Sequence, residues 1–182
     1  MKALKLLFIS TILILLSNNA QAFSWSQWFI NLKENIVHAW KCGRPDAYIP
    51  VRAWHNRLTY DSEKIKKYNE EPWGFGIGKG FWDGNEWHGI YAMAFKDSNF
   101  YTETFFGYGY QYNWALSKDE NWKLGAGYTL GITQRHEYSY VPIPAPLPVG
   151  SISYKNISLQ AAYVPGLKNN GNVLFAWLKI SF

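Results

Sequence analysis

The chain has 182 residues, 18 Lys and Arg against 13 Asp and Glu, a net charge of +5, one cysteine, and 19% Phe, Trp and Tyr. A single Cys42 leaves no intramolecular disulfide, and scattered basic residues are weak evidence for nucleic acid. A mean hydropathy of −0.25 and one early apolar run exclude a bundle of membrane-spanning helices.

The first 22 residues read as an export signal. Lys2 and Lys5 precede "LLFISTILILL", an apolar run too short to span a bilayer with margin, and "AQA" (Ala20–Ala22) supplies the small-residue cleavage pattern. Cleavage after Ala22 would leave about 160 residues, one domain's worth. Cys42 lies too deep to be the lipidated first residue of a mature lipoprotein. An exported chain with 10 Trp and 13 Tyr suggests an outer-membrane β-barrel, in which aromatic girdles mark both lipid interfaces. The positive charge suits an anionic lipid surface as well as ordinary solubility.

Over 23–42, Trp25, Trp28, Phe29, Leu32, Ile36 and Trp40 recur at spacings of three and four. That stripe predicts an amphipathic helix, and its three tryptophans place it in the membrane interface. Gly43 and Pro45 end it.

Eight strand-like stretches follow within 43–182, over 50–61, 72–82, 86–97, 103–114, 121–135, 138–153, 155–164 and 171–182. An even number of strands of about ten residues predicts an all-β fold, an eight-stranded antiparallel transmembrane barrel. In the final stretch Leu174, Ala176, Leu178 and Ile180 alternate with polar Lys179 and Ser181, an apolar outward face ending on Phe182.

"GIYAMAF" (Gly89–Phe95) departs from apolar-out, polar-in alternation. Ile90, Ala92 and Ala94 fall on one face, and Tyr91, Met93 and Phe95 on the other. Both faces are apolar, so the lumen beside this strand is apolar too. It is either packed solid or shaped for an apolar guest, and in a membrane that guest is an acyl chain.

"VPIPAPLPVG" sets Pro142, Pro144, Pro146 and Pro148 at every second position. Proline removes the N–H that a closed barrel needs at every seam. The run, answered by Pro165, predicts a partly unzipped seam between the sixth and seventh strands, a lateral opening for lipid. A stiff loop is the rival reading and accounts best for Pro142. Pro50 and Pro72 mark a second weakened seam.

Few residues can carry chemistry. There is no metal-ligand cluster, no phosphate-binding glycine loop and no nucleophile elbow. His55 in "AWHNRLTYD" lies in the first stretch and the Asp97–Ser98 pair in "MAFKDSNF" at the tip of the third, and strand direction brings them to one rim. A histidine, a carboxylate and a hydroxyl are the groups for acyl transfer. On spacing alone His88 and His136 are equally available, and an Asp–Ser pair also makes a turn.

These residues carry a resemblance to the lipid A palmitoyltransferase family of bacterial outer membranes. The matching stretches are "YIP", "WHNRLTYD", "KYNEEPWG", "WHGIYAMAFKDS", "GYGY", "YVPIP", "YVPG" and "NNGNVLFAW", from Tyr48 to the C-terminus. The resemblance implies an eight-stranded barrel with an N-terminal amphipathic interfacial helix. It implies transfer of a palmitoyl chain from the sn-1 position of a phospholipid to a hydroxyacyl chain of lipid A, and resistance to cationic antimicrobial peptides. It places the catalytic groups on His55, Asp97 and Ser98, with Asp97 orienting His55 and Ser98 serving as oxyanion donor or nucleophile. It puts the floor of the acyl pocket on Gly109, beside Met93, the lateral lipid entrance between Pro148 and Pro165, and the second opening between Pro50 and Pro72. No cofactor or nucleic acid is implied, and the expected protein is an outer-membrane monomer acting on phospholipid and lipopolysaccharide. Pro146 and the loop "NFYTETF" depart from the family pattern, which leaves acceptor preference open. The rival from another class is a non-catalytic lipid-binding barrel.

Overall fold

The computed structural model describes residues 24–182, and the export signal expected over 1–22 lies outside them. Helix α1 spans Trp25–Cys42. Ser24 opens it, its hydroxyl accepting the Gln27 N–H at 3.4 Å. A boundary between two compact units falls inside the helix, after Glu34. In the first unit Trp25 and Phe29 are exposed and Trp28 packs edge-on to both rings. In the second unit Ala39 is buried, and the helix ends where the Gly43 N–H meets the Ala39 carbonyl at 3.0 Å. A Cβ on Gly43 would stand 2.4 Å from that oxygen, so the turn into the first strand needs glycine.

The rest is a closed antiparallel barrel whose eight strands pair in chain order and close from last to first. They are β1 (Arg44–His55), β2 (Gly74–Asp83), β3 (Glu86–Lys96), β4 (Thr102–Ala115), β5 (Trp122–Gln134), β6 (Ile143–Tyr154), β7 (Ile157–Val164) and β8 (Val173–Ser181). The end where β1 finishes is termed the upper rim. Upper connections are long, and the first carries a short helix, α2 (Ser62–Ile65). The lower connections after β2 and β6 are two-residue turns. Exposed apolar side chains such as Phe75, Ile77, Phe106, Ile132, Ile152 and Leu159 cover the outer wall. Trp82, Trp114, Trp122 and Tyr154 ring the lower strand ends, and Trp54, Trp73 and Tyr163 the upper ones. An apolar band between aromatic belts is the surface that a bilayer demands.

Two strands differ from their expected spans. β1 begins at Arg44, six residues before the expected start at 50, and ends at His55 instead of running on to residue 61. The Asn56 side chain accepts the Leu58 N–H at 2.9 Å and its carbonyl accepts the Thr59 and Tyr60 N–H groups, so the residues after His55 form a turn. β6 begins at Ile143, because His136–Tyr138 form a 3-10 turn and Ser139 and Tyr140 take positive φ of 52° and 60°.

The lumen has two halves. The upper half is apolar, with Tyr48, Tyr91, Met93, Phe95, Phe105, Val149, Ala162 and Trp177 forming one buried cluster. The lower half is polar, with buried Asp46, Gln111, Asn113, Ser151, Ser153, Ser158, Gln160 and Lys179. Its groups satisfy one another: the Ser151 hydroxyl donates to Gln111 Oε1 at 2.6 Å, and the Trp177 indole N–H donates down to Gln160 Oε1 at 2.9 Å. The expectation of an apolar lumen beside Gly89–Phe95 holds for Tyr91, Met93 and Phe95, which all point inward.

Candidate active site at the upper rim

β1 delivers His55 to the rim as its last residue, and the turn after β3 delivers Asp97 and Ser98. All three line one pocket of about 620 Å³, together with Tyr60, Tyr68 and Phe175. His55 is 1% exposed. Its Nε2 lies 3.0 Å from Ser98 Oγ, and its Nδ1 lies 3.1 Å from Glu70 Oε1. The rings of Tyr60 and Tyr68 pack on the imidazole at 5.1 and 4.8 Å. The expected base and hydroxyl therefore meet.

Asp97 does not fill the role expected of it, since both ring nitrogens of His55 are taken by Ser98 and Glu70. Its Oδ1 instead accepts the N–H groups of Asn99 and Tyr101 at 2.8 and 2.9 Å, and its own N–H donates to the Tyr101 carbonyl. A short carboxylate just past a strand end reaches its own turn more readily than a ring across the barrel. Asp97 thereby shapes the turn that presents Ser98. Its Oδ2 is buried with no hydrogen-bond partner among the described residues.

Glu70 and Asn69 did not emerge from the sequence as site residues. Both sit in "KYNEEPWG" of the first upper loop, which folds back over the pocket. Asn69 donates its side-chain N–H to the Asp97 carbonyl at 3.2 Å and its backbone N–H to Ser98 at 2.9 Å, tying the two loops together. Arg57 grips both oxygens of Glu70 at 2.5 and 2.6 Å, and Arg52 adds a contact at 3.1 Å. Hydrogen bonds from Arg57 hold the Glu70 carboxyl down at about 2.

The prolines sit at two gaps in the ladder. β6 pairs with β7 only over Val149–Tyr154, while Ile143–Pro148 pair with β5 alone. Because the β5 ladder is complete, the missing N–H groups of Pro144, Pro146 and Pro148 face the gap, which Pro165 borders just past β7. Pro142 precedes the strand, in the loop. β1 pairs with β2 only over Arg44–Tyr48, leaving Pro50 at the start of a second gap and Pro72 just before β2. There the Ala53 N–H donates to the Glu70 carbonyl at 3.0 Å.

Below the rim, Met93, Phe95, Phe105, Leu147, Val164 and Phe175 are among the residues around a cavity of about 50 Å³. Gly109 lies beneath it on β4, opposite Gly89 and Thr129. A Cβ there would stand 2.9 Å from Trp87 Cζ3 and 3.4 Å from Tyr91 Cε1. Trp87 marks the boundary between the lumen's halves, with Lys179 Nζ 4.2 Å from its ring centre.

A closed barrel with an apolar outer band, a His–Ser pair at one mouth and an apolar half-lumen beneath defines a small membrane-type barrel. Residues 35–179 match the family model described as "Antimicrobial peptide resistance and lipid A acylation protein PagP". The chain belongs to the PagP family. It is 45% identical to the lipid A acyltransferase PagP of Dickeya chrysanthemi, with 97% of this chain and 92% of that one covered. It is 47% identical to the lipid A palmitoyltransferase PagP of Escherichia coli O157:H7, covering 86% of this chain and 85% of that one. With the PagP of Proteus mirabilis it shares 53% identity over 81% of this chain and 70% of that one.

Proposed function

We propose that this protein is an outer-membrane acyltransferase that moves a palmitoyl chain from the sn-1 position of a phospholipid to a hydroxyacyl chain of lipid A. The observation that carries this reading is His55 Nε2 at 3.0 Å from Ser98 Oγ, directly above an apolar half-lumen. Membership of a family of lipid A acylation proteins supports it. The long loops and the His–Ser pair then face outward, on the lipopolysaccharide side. The closed barrel acts as a monomer. Modified lipid A would raise resistance to cationic antimicrobial peptides.

The donor's acyl chain enters sideways through the β6–β7 gap, and the β1–β2 gap serves as the second opening. The tail descends past Met93 toward Gly109. A cavity of about 50 Å³ holds one or two waters, so the chain displaces Phe105, Leu147 and Phe175 as it enters. His55 takes the acceptor's hydroxyl proton on Nε2 and returns it to the leaving lysophospholipid oxygen. Ser98 either donates to the carbonyl oxygen that becomes anionic, or its Oγ attacks the carbonyl carbon and releases the lysophospholipid. Palmitoyl-Ser98 trapped by mass spectrometry without acceptor would select attack, and its absence would select donation.

The test is thin-layer chromatography of the detergent-solubilised protein with labelled phosphatidylcholine and lipid A. Label in lipid A, with lysophospholipid released, is the expected result. No turnover, or free fatty acid alone, overturns the reading.

A further inference from the structure

We infer that Glu70 is a positioning residue for acyl transfer: its carboxylate, and not that of Asp97, holds His55 in the tautomer whose Nε2 faces Ser98. The inference rests on His55 being the base of the proposed reaction. An ionised carboxylate only accepts hydrogen bonds, so the contact at 3.1 Å between Glu70 Oε1 and His55 Nδ1 requires the proton on Nδ1. Nε2 then carries a lone pair, and the Ser98 hydroxyl at 3.0 Å donates to it. The same Oε1 accepts the His55 backbone N–H at 3.1 Å, so Glu70 fixes both the ring and the strand end that bears it.

Glu70 is itself immobilised. Arg57 and Arg52 clamp its oxygens, and its carbonyl takes the Ala53 N–H. When His55 gains a proton from the acceptor hydroxyl, the carboxylate faces the new charge directly. The other charged groups around the ring are Arg57, which donates to the His55 carbonyl at 2.6 Å, and, across the pocket, Lys64, Lys96, Asp97, Glu103, Arg135 and Glu137. None of these takes Nδ1. Glu70 also closes the upper part of the β1–β2 gap, so widening that gap would detach the carboxylate from the base.

The test reads the ring nitrogens of His55 in the full, 15N-histidine-labelled barrel in micelles, assigned by difference against His55→Gln. The wild-type long-range coupling pattern is expected to be that of the Nδ1–H tautomer, and an Nε2–H pattern overturns the inference. In Glu70→Gln the titration midpoint of His55 is expected to fall by about one pH unit or more, as loss of a neighbouring opposite charge dictates. Transfer should fall roughly 10²-fold through misplacement of the base. Glu70→Asp keeps the charge and should restore most of the midpoint, whereas Asp97→Asn should leave it within about 0.3 unit. A midpoint that moves with Asp97→Asn and not with Glu70→Gln overturns the inference. The nitrogen signals are read without substrate, so failure of the acyltransferase reading would show only in the transfer assay.

Discussion

His55 is enclosed on every side, yet the barrel does not depend on it. Its side chain bonds only to Glu70 and Ser98, and Glu70 keeps Arg57 and Arg52 when the imidazole is removed. His55→Ala is therefore expected to leave a folded, heat-modifiable barrel with transfer lost by roughly 10²-fold or more. A near-normal rate in the purified variant, with His88→Ala inactive instead, would assign the base elsewhere. His88 faces a different setting, with its Nδ1 2.6 Å from the Tyr108 hydroxyl and far down β3 from Ser98. Glu70 also sets an acid limit. Its carboxyl, ordinarily near 4.5, is depressed to about 2. A depressed carboxyl contributes stability above its ordinary value that is lost as the pH falls through the folded value. The loop over 56–73 should thus become open to pepsin as the pH drops from about 4.5 toward 2, while the same loop in Glu70→Gln should be cut already at the upper end of that window. Equal cleavage of both proteins at pH 4.5 would separate the loop from this carboxylate. His55 and Ser98 were legible because strand direction sends both toward one rim and a resemblance marks them. Glu70 was hidden because nothing in local spacing says that residues fifteen positions on fold back to the strand end.

At the scale of elements, the two gaps are where proline chemistry overrides the ladder. Alternation of residue types was enough to foresee eight strands and to sort β3 into two faces, since a period of two survives without knowledge of partners, but with both faces apolar it did not say which one turns inward. The ends of β1 and β6 were not legible. Each is decided by turn geometry, an Asx turn at Asn56 and left-handed residues at Ser139 and Tyr140, which alternation alone does not show. The gap beside β6 was legible because proline's missing donor acts wherever the residue sits. If lipid passes there, joining the strands should block access and leave chemistry alone. Extending the register of Val149 with Ala162 by two residues sets Leu147 against Val164, and both border the same cavity. Leu147→Cys with Val164→Cys, in a Cys42→Ser background, should form a disulfide on oxidation. Transfer from bilayer phospholipid should then stop and return with reductant. Full activity in a fully cross-linked sample would make the prolines a stiffened edge with no part in lipid passage.

Across the whole molecule, the lumen is divided so that apolar space lies only above Trp87. On the proposed reading that division would let the lumen measure length, because a chain pushed further down would meet Lys179, Gln160 and Gln111 instead of hydrocarbon. Trp87 has little room to retreat. A Cβ on Gly80 or Gly89 would stand 2.6 or 2.4 Å from its ring atoms, so the indole already lies against the wall at those glycines. Lys179 holds its other side, with Nζ 4.2 Å from the ring centre. A side chain grown from Gly109 starts 2.9 Å from Trp87 Cζ3 and 3.4 Å from Tyr91 Cε1. It must drive those rings upward or occupy the lumen itself, and either way the proposed floor rises. Each methylene of the donor then denied burial loses about 0.8 kcal/mol, and overpacking adds roughly 1–3 kcal/mol. Several methylenes together exceed the discrimination of about 10–200-fold that a single one provides. Gly109→Met should therefore prefer a donor chain several carbons shorter than palmitoyl while keeping a wild-type dependence on His55. Mass spectrometry of lipid A incubated with mixed-chain phospholipids reads that preference directly. Selective transfer of palmitate at the wild-type rate would mean that the tail never reaches Gly109 and that the apolar half-lumen measures length elsewhere.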